Sequence, residues 1–322
     1  MPRLLSTQSH VVHGYVGNKA ATFPLQCRGW DVDCVNSVQL SCHTGYNQDN
    51  VRGHVVDEEE LRVVFEGIER LIKGEPHVKY DALLSGYLPS KDSVSMVAQY
   101  YMSLKKQRPD LLWLLDPVMG DEGQLYVEEN VIPEYRKLVR SGFVDAIVPN
   151  HYELELLSGG TISNLKEVLQ TIDELHNHVK IIIVTSLSSA ILDDKEHVYC
   201  VASVAGTEKQ RVCFKVPIID AHFTGTGDLF SALIIDSLHR FLSDKCADIK
   251  QTVNHVLNVI HKVLTVTIES YRQRELIGAG CNSESLGLEL KLIECRDDFE
   301  SEYDPVSLVD YTYELQGTGD LQ

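Results

Sequence analysis

The sequence predicts an α/β fold in which a mostly parallel sheet lies between two layers of helices. Strand patterns alternate with helical ones along most of the 322 residues. Several of those strands are continuous apolar runs, as strands covered on both faces are. A hydrophobic content of 43% supplies a core for one large domain or two small ones and excludes global disorder.

Arg3 to His10 reads as the first strand, Gly14-Tyr15-Val16-Gly17-Asn18 as a turn, and Lys19 to Gly29 as a helix. Trp30 to Val38 alternates with period two, the mark of a strand. Asp57 opens an acid-rich helix start, with Leu61, Val64, Phe65, Ile68, Leu71 and Ile72 at helical spacing. Tyr80 to Gly86 is the next strand, and Asp92 to Gln107 a helix that stops before Pro109. Leu111 to Leu115 and Val144 to Val148 are buried strands, followed by a short helix from Asn150 and a longer one from Ser163 to His178. Val179 to Thr185 is again wholly buried in pattern. Residues 190–217 differ, reading as antiparallel strands around a Gly206-Thr207-Glu208-Lys209 turn. Two long helices are expected over 225–243 and 247–273, the second with several apolar faces that suit core packing or, less directly, an interface. Leu286 to Ile293 reads as a last strand. Residues 1–295 are therefore expected to form one domain and 296–322 an acidic, flexible tail.

The net charge is −18, from 29 basic and 47 acidic residues, which argues against a nucleic-acid groove. A bound anion must then be held by local dipoles, metal ions and a few cations against the overall field. No apolar run reaches the length that crosses a bilayer, and the start at Met1 is too short in its apolar part for a signal peptide. The eight cysteines (Cys27, Cys34, Cys42, Cys200, Cys213, Cys246, Cys281 and Cys295) form no Cys-x-x-Cys pair and read as reduced thiols of a cytosolic protein.

In open α/β sheets the ligand lies beyond the carboxyl ends of the strands. Here those ends are polar: Ser9-His10, Ser41 to Tyr46, Ser85-Gly86-Tyr87, Asp116 to Asp121, Pro149 to Glu153 and Thr185-Ser186. Each has a plain alternative, such as a turn at Asp116-Pro117 or a helix cap at Asn150. Together, the acids Asp116, Asp121 and Glu153 suggest Mg²⁺ held partly through water. The run Phe223-Thr224-Gly225-Thr226-Gly227-Asp228 stands at the mouth of a predicted helix. Its free backbone N–H groups and the helix dipole would cradle an anion beside the Asp228 carboxylate. Alone it reads equally as an ordinary helix start with a capping acid; beside the other groups it suits phosphoryl transfer.

These blocks resemble the pyridoxal kinase family of the ribokinase-like superfamily. The resemblance rests on Ser6 to Asn18, Asn36-Ser37-Val38-Gln39, His43-Thr44-Gly45-Tyr46, Leu84 to Tyr87, Asp116 to Asp121, Pro149-Asn150 with Glu153, Val184-Thr185-Ser186 and Gly225 to Asp228, in family order. It implies a three-layer α/β/α sandwich and ATP-dependent phosphorylation of the 5′-hydroxyl of pyridoxal, pyridoxine or pyridoxamine, a vitamin B6 salvage step. It also implies Asp228 as the base and Gly225, Thr226 and Gly227 as the phosphate cradle. Ser9 and Thr44 match ring contacts, and His43 and Tyr87 match the walls of the ring site. Asp121 and Glu153 match the Mg²⁺ region. Asp116, Asn150, Thr185 and Ser186 match phosphate or nucleotide contacts, joined there by Thr226. Ile219, Asp220 and Ala221 match the segment beside the adenine. K⁺ near Asp116 and Thr185, a homodimer, and a cytoplasmic location with the nucleus also allowed are further implications.

The chain departs from the common family pattern at Leu40, Cys42 and Val148, and its Asp121 to Tyr126 flap is compact. Two competing readings follow: a kinase for hydroxymethylpyrimidine or another small alcohol, and a vitamer-binding paralogue without turnover. Ser9 with His43-Thr44 favours pyridoxal, and the intact Gly225 to Asp228 run favours turnover.

Overall fold

The computed structural model describes residues 1–206, 210–243, 248–276, 287–300, 312–316 and 320–321. In chain order its elements are β1 (Arg3–Val11), α1 (Gly17–Cys27), β2 (Asp31–Leu40), β3 (Gly53–Val55), α2 (Glu58–Gly74), β4 (Ala82–Ser85), α3 (Lys91–Gln107) and β5 (Leu112–Leu115). There follow β6 (Gly120–Asp121), β7 (Gln124–Leu125), α4 (Ile132–Val139), β8 (Ala146–Ile147), α5 (His151–Ser158), α6 (Leu165–Leu175), β9 (Ile181–Leu187), β10 (His197–Val204) and β11 (Gln210–Pro217). The last are β12 (Phe223–Thr224), α7 (Thr226–Ser243), α8 (Ile249–Leu276), β13 (Leu288–Glu289), α9 (Arg296–Glu300), β14 (Thr312–Gln316) and β15 (Asp320–Leu321).

Eleven strands form one sheet in the order β15-β14-β11-β10-β9-β8-β5-β4-β1-β2-β3. From β2 through β9 the neighbours are parallel, and both flanks are antiparallel. Side chains alternate between faces along a strand. Leu5, Leu83, Trp113, Leu115, Ile147 and Ile182 accordingly pack with Phe65, Tyr101, Tyr135 and Leu169 on one side. Leu4, Leu84, Leu114, Ala146, Ile181 and Ile183 pack with Leu25, Leu229, Ile234 and Val256 on the other. Two cores around one sheet are why β5 and β9 carry no polar face.

Helix starts follow side-chain chemistry. The Asp57 side chain accepts from Glu60 N–H while Glu60 returns a bond to Asp57, and Asn150 with Glu153 does the same at α5. The hairpin read over 190–217 is present, β10 and β11 pairing from His197–Pro217 to Val204–Gln210; Thr207, Glu208 and Lys209 of its turn lie outside the described residues.

Several expectations are corrected. The strand read over Leu286 to Ile293 is only Leu288–Glu289, and it pairs parallel with β12 rather than joining the main sheet; Leu286 lies outside the described residues. The loose tail does not begin at 296. Phe299 is buried, meets Phe23 edge-on at 6.1 Å, and its carbonyl accepts from Arg28 at 3.0 Å, so α9 packs on α1. One apolar residue in an acidic stretch is enough to dock a helical turn. β14 adds antiparallel to β11. Cys42, Cys200, Cys213 and Cys295 are free and buried, but Cys34 is exposed; Cys246 and Cys281 lie outside the described residues. No described helix is long and apolar enough to cross a membrane.

Candidate active site

The parallel strands end together, which brings the polar termini to one edge. Thr7 is level with Ser85, Ser85 with Leu115, and Leu115 with Ile147. Ser9, Tyr87, Asp116 and Asn150 follow within a few residues of those positions.

Beyond that edge β12 leads through Gly225 into α7. Gly225 has φ +88, and a Cβ there would fall 2.1 Å from the Tyr15 carbonyl oxygen, so only glycine allows this approach. Asp228 lies on the first turn of α7, and Gly227 is open to solvent. The turn facing this helix start is anchored from below by Asn18, which is buried. Its amide donates to the Gln8 and Val35 carbonyls at 3.3 and 2.9 Å and to Asn36 at 2.8 Å, and it accepts from Ser6 at 2.8 Å. That anchoring presents Gly17, whose N–H lies near the Asp228 carboxylate and favours its charged form. Gly17 (φ +53) also rests against Ser9, where a Cβ would meet the Ser9 carbonyl oxygen at 2.0 Å and its Oγ at 2.3 Å. Ser9, Gly17, Gly225 and Asp228 are thus brought together.

Three carboxyl groups form a chain through this region. Burial lifts Asp228 to about 6 against the opposing Gly17 N–H. Ser231, one turn further along α7, donates to Asp116 at 2.7 Å. Burial lifts Asp116 to about 7, Ser231 opposes the rise, and repulsion from Asp228 adds to it. Burial, then repulsion from Asp116, holds Glu153 well above the usual carboxylate range, although it accepts from Met119 and Asn150 N–H at 3.0 and 2.9 Å. Among the described residues neither Asp116 nor Glu153 is paired with a lysine or arginine.

The remaining predicted residues surround this chain. Asn150 caps α5 and donates to the Gly120 carbonyl at 2.8 Å, which ties the β6–β7 hairpin to the site. That hairpin turns at Glu122 (φ 47) and Gly123 (φ 79), as a tight two-residue turn requires. It carries Asp121, exposed and pushed up by partial burial, and Tyr126, exposed and near enough to Asp121 and Glu153 to feel both charges. Thr185 is held by its N–H to the Pro149 carbonyl at 2.9 Å, and Ser186 follows it on β9. Ile219 accepts from Ala221 N–H at 2.7 Å in the bend before β12, with Asp220 exposed between them. Thr226 opens α7. Tyr87 is largely buried at the end of β4, and burial raises its phenol.

His43 is buried; Thr44 beside it is exposed. The His43 Nε2 lies 3.0 Å from Glu289 Oε1, and its ring is 4.6 Å from that of Tyr46. Burial would raise the Glu289 carboxyl, but the adjacent His43 ring and the Tyr15 N–H bond hold it below its ordinary value.

Glu289 and Ser231 are missing from the sequence reading. Glu289 alternates with leucines in a strand pattern, where an acid reads as solvent-facing. Ser231 shows only as a polar residue three positions after Asp228 on an apolar helix. Neither signal points to a partner distant in sequence.

The family model described as phosphomethylpyrimidine kinase matches residues 39–273. The putative pyridoxal kinase BUD16 of Saccharomyces cerevisiae is 51% identical over 305 residues, 94% of this chain and 96% of its own. The pyridoxal kinase of Homo sapiens is 36% identical over 321 residues, 96% of this chain and 98% of its own. Among solved structures, the pyridoxal kinase from Leishmania donovani in complex with ADP and pyridoxamine superimposes with a TM-score of 0.81 at 33% identity, covering 98% of this chain and 100% of that one.

Proposed function

The chain belongs to the pyridoxal kinase family, and we infer that Asp228 is the base with which it transfers a phosphoryl group from ATP to the 5′-hydroxyl of pyridoxal, pyridoxine or pyridoxamine. The observation that carries this role is a carboxyl group lifted to about 6 on the first turn of α7, beside Gly225 and within reach of the Gly17 N–H. Such a group is ionised at neutral pH yet basic enough to share a proton with an attacking alcohol. The N–H groups of Gly225, Thr226 and Gly227 take up charge on the migrating phosphoryl oxygens. Ser9 and Thr44 hydroxyls bond the vitamer ring, and His43 and Tyr87 wall it. Asn150, Thr185 and Ser186 contact the phosphates or the nucleotide, Asp116 lies between nucleotide and metal, and Ile219 to Ala221 border the adenine.

No three acidic, histidine or cysteine side chains converge on one point among the described residues, so Mg²⁺ would be held by two carboxyls completed by water and phosphate oxygens. Hard oxygen ligands suit it, and the Asp228–Asp116–Glu153 chain is a run of mutually repelling carboxyls without a paired lysine or arginine among the described residues. Asp121 and Glu153 would hold it. Glu153, whose oxygens already accept backbone N–H groups, would act through water. Bound there, Mg²⁺ would neutralise charge on the transferring phosphate. An activating K⁺ beside Asp116 and Thr185, a homodimer and a cytoplasmic location complete the proposal.

ADP release measured with pyridoxal, pyridoxine, pyridoxamine and hydroxymethylpyrimidine tests the reading. Pyridoxal should be clearly preferred over the pyrimidine, chelation of Mg²⁺ should abolish turnover, and replacing K⁺ by Na⁺ should lower it. Preference for the pyrimidine would overturn the substrate assignment, and full turnover in chelator would overturn the Mg²⁺ site. The pH profile tests the base. Because the Asp228 carboxyl lies near 6, kcat/KM for pyridoxal should fall about tenfold per unit as pH drops below that value, the protonated acid being unable to accept the alcohol's proton. A profile flat from pH 7 to 4 would exclude Asp228 from that role.

A further inference from the structure

Glu289 lies 274 residues from Tyr15 in sequence, yet its carboxylate joins the two segments that border the vitamer end of the site. Strand β13 runs parallel to β12, with Glu289 level with Thr224, the residue before the phosphate cradle. Its backbone N–H is fastened to the Tyr271 hydroxyl of α8 at 3.2 Å. Oε2 accepts the Tyr15 N–H at 3.0 Å. Oε1 faces His43 Nε2 at 3.0 Å. Burial raises the Tyr46 phenol, and its hydroxyl lies close enough to this carboxylate to be raised by it as well. Gly14, at φ +90, makes the approach feasible, since a Cβ there would lie 2.2 Å from Oε1.

These contacts set the histidine's orientation and proton. His43 Nδ1 accepts the Gly45 N–H at 3.1 Å, which leaves a ring proton for Nε2, 3.0 Å from Glu289 Oε1 but not aligned as a hydrogen bond to it. One edge of the imidazole is bonded to the loop backbone and the other is packed against the buried carboxylate. What remains for a ligand is the ring face, presented in one fixed orientation. Glu289 is buried, so this charge is one the fold maintains at a desolvation cost.

We propose that Glu289 is a positioning residue for vitamer binding: it holds the His43 ring and the Tyr15 turn in the arrangement that receives the pyridine ring. The proposal rests on the reading of His43 as a wall of the vitamer site. It predicts an asymmetric defect. Loss of the carboxylate frees the His43 ring to rotate, which weakens pyridoxal binding, while the ATP side depends on other elements.

The test compares Glu289→Gln, Glu289→Asp, His43→Ala and the Glu289→Gln/His43→Ala pair in steady-state kinetics and thermal melting. Glu289→Gln is isosteric but cannot present an acceptor to both Tyr15 and His43, because one of its two terminal atoms is a donor. Its KM for pyridoxal should rise about tenfold, the order expected for a lost charge-assisted contact, with KM for ATP and the melting temperature little changed. Glu289→Asp, which keeps the charge, should recover part of the affinity. The paired variant should bind pyridoxal no more weakly than His43→Ala alone. An unchanged pyridoxal KM, effects that add in the pair, or both KM values rising together with a lowered melting temperature would overturn the proposal. A wild-type chain that does not phosphorylate pyridoxal would overturn the vitamer reading itself, so the two failures are separable.

Discussion

Asp228→Ala is expected to lower kcat by about 10³-fold or more, the scale of a lost general base on a reacting hydroxyl, while pyridoxal still binds. The residue stands on the first turn of an 18-residue helix, with its carboxylate close enough to the Gly17 N–H for that dipole to favour its charged form. In the proposed mechanism that position serves the reacting alcohol, and the ring is left to Ser9, Thr44, His43 and Tyr87. Asp228→Asn separates chemistry from geometry. Its amide oxygen can still face the Gly17 N–H, so the turn should stay in place, yet it cannot take a proton. Both variants should therefore be inactive and both should bind pyridoxal, measured by equilibrium titration without ATP. Turnover by either at the wild-type rate would remove Asp228 from the mechanism. Loss of pyridoxal binding in Asp228→Asn would move its role from the transferred proton to the ring.

Gly225→Ala should cost about 10²-fold in kcat/KM, the loss typical of removing an oriented oxyanion donor. Two independent features forbid the added methyl. The backbone is at φ +88, where an L side chain is strained, and the Cβ would sit 2.1 Å from the Tyr15 carbonyl oxygen. A backbone oxygen cannot swing aside as a long side chain can. Relief requires the cradle or the Tyr15 turn to shift, and the same turn carries Gly17 and donates the Tyr15 N–H to Glu289. Gly227→Ala is the informative contrast: a Cβ there meets no protein atom within 4 Å, so it should fold with undiminished thermal stability. Any activity lost at position 227 then measures how closely the phosphate approaches, whereas loss at 225 measures displacement of the cradle. Wild-type kinetics in Gly225→Ala would show that the cradle is not where the phosphate binds.

The sandwich was legible because local patterns and tertiary burial agree. Leu111 to Leu115 is apolar on both faces because both faces are covered, and Asp57 and Asn150 mark helix starts because their side chains accept a bond three residues ahead. Legibility fell where an element is made by its surroundings. β3 is three exposed residues pairing with β2, and its sequence carries no period. α4 carries Pro133 in its first turn, in a stretch whose apolar face is apparent only once Tyr135 and Leu138 are seen to be buried. The β6–β7 hairpin needs Glu122 at positive φ, which is uncommon for glutamate and so gives no turn signal.

At the site, the alternation of strands and helices and the polar residues at each strand end determined the fold, the edge where the candidate site lies, and the choice of Asp228 with its glycines as the proposed base and cradle. These are local facts: periodicity, turn chemistry and helix starts are written within a few consecutive residues. Which groups face one another was decided by the tertiary structure alone. Ser231 reaching Asp116 across 115 residues, Glu153 turned onto backbone N–H groups, and Glu289 returning from near the end of the described chain to hold His43 and Tyr15 are contacts of that kind. A charge's partner and its desolvation depend on distance through space, and no pattern along a single chain encodes that distance.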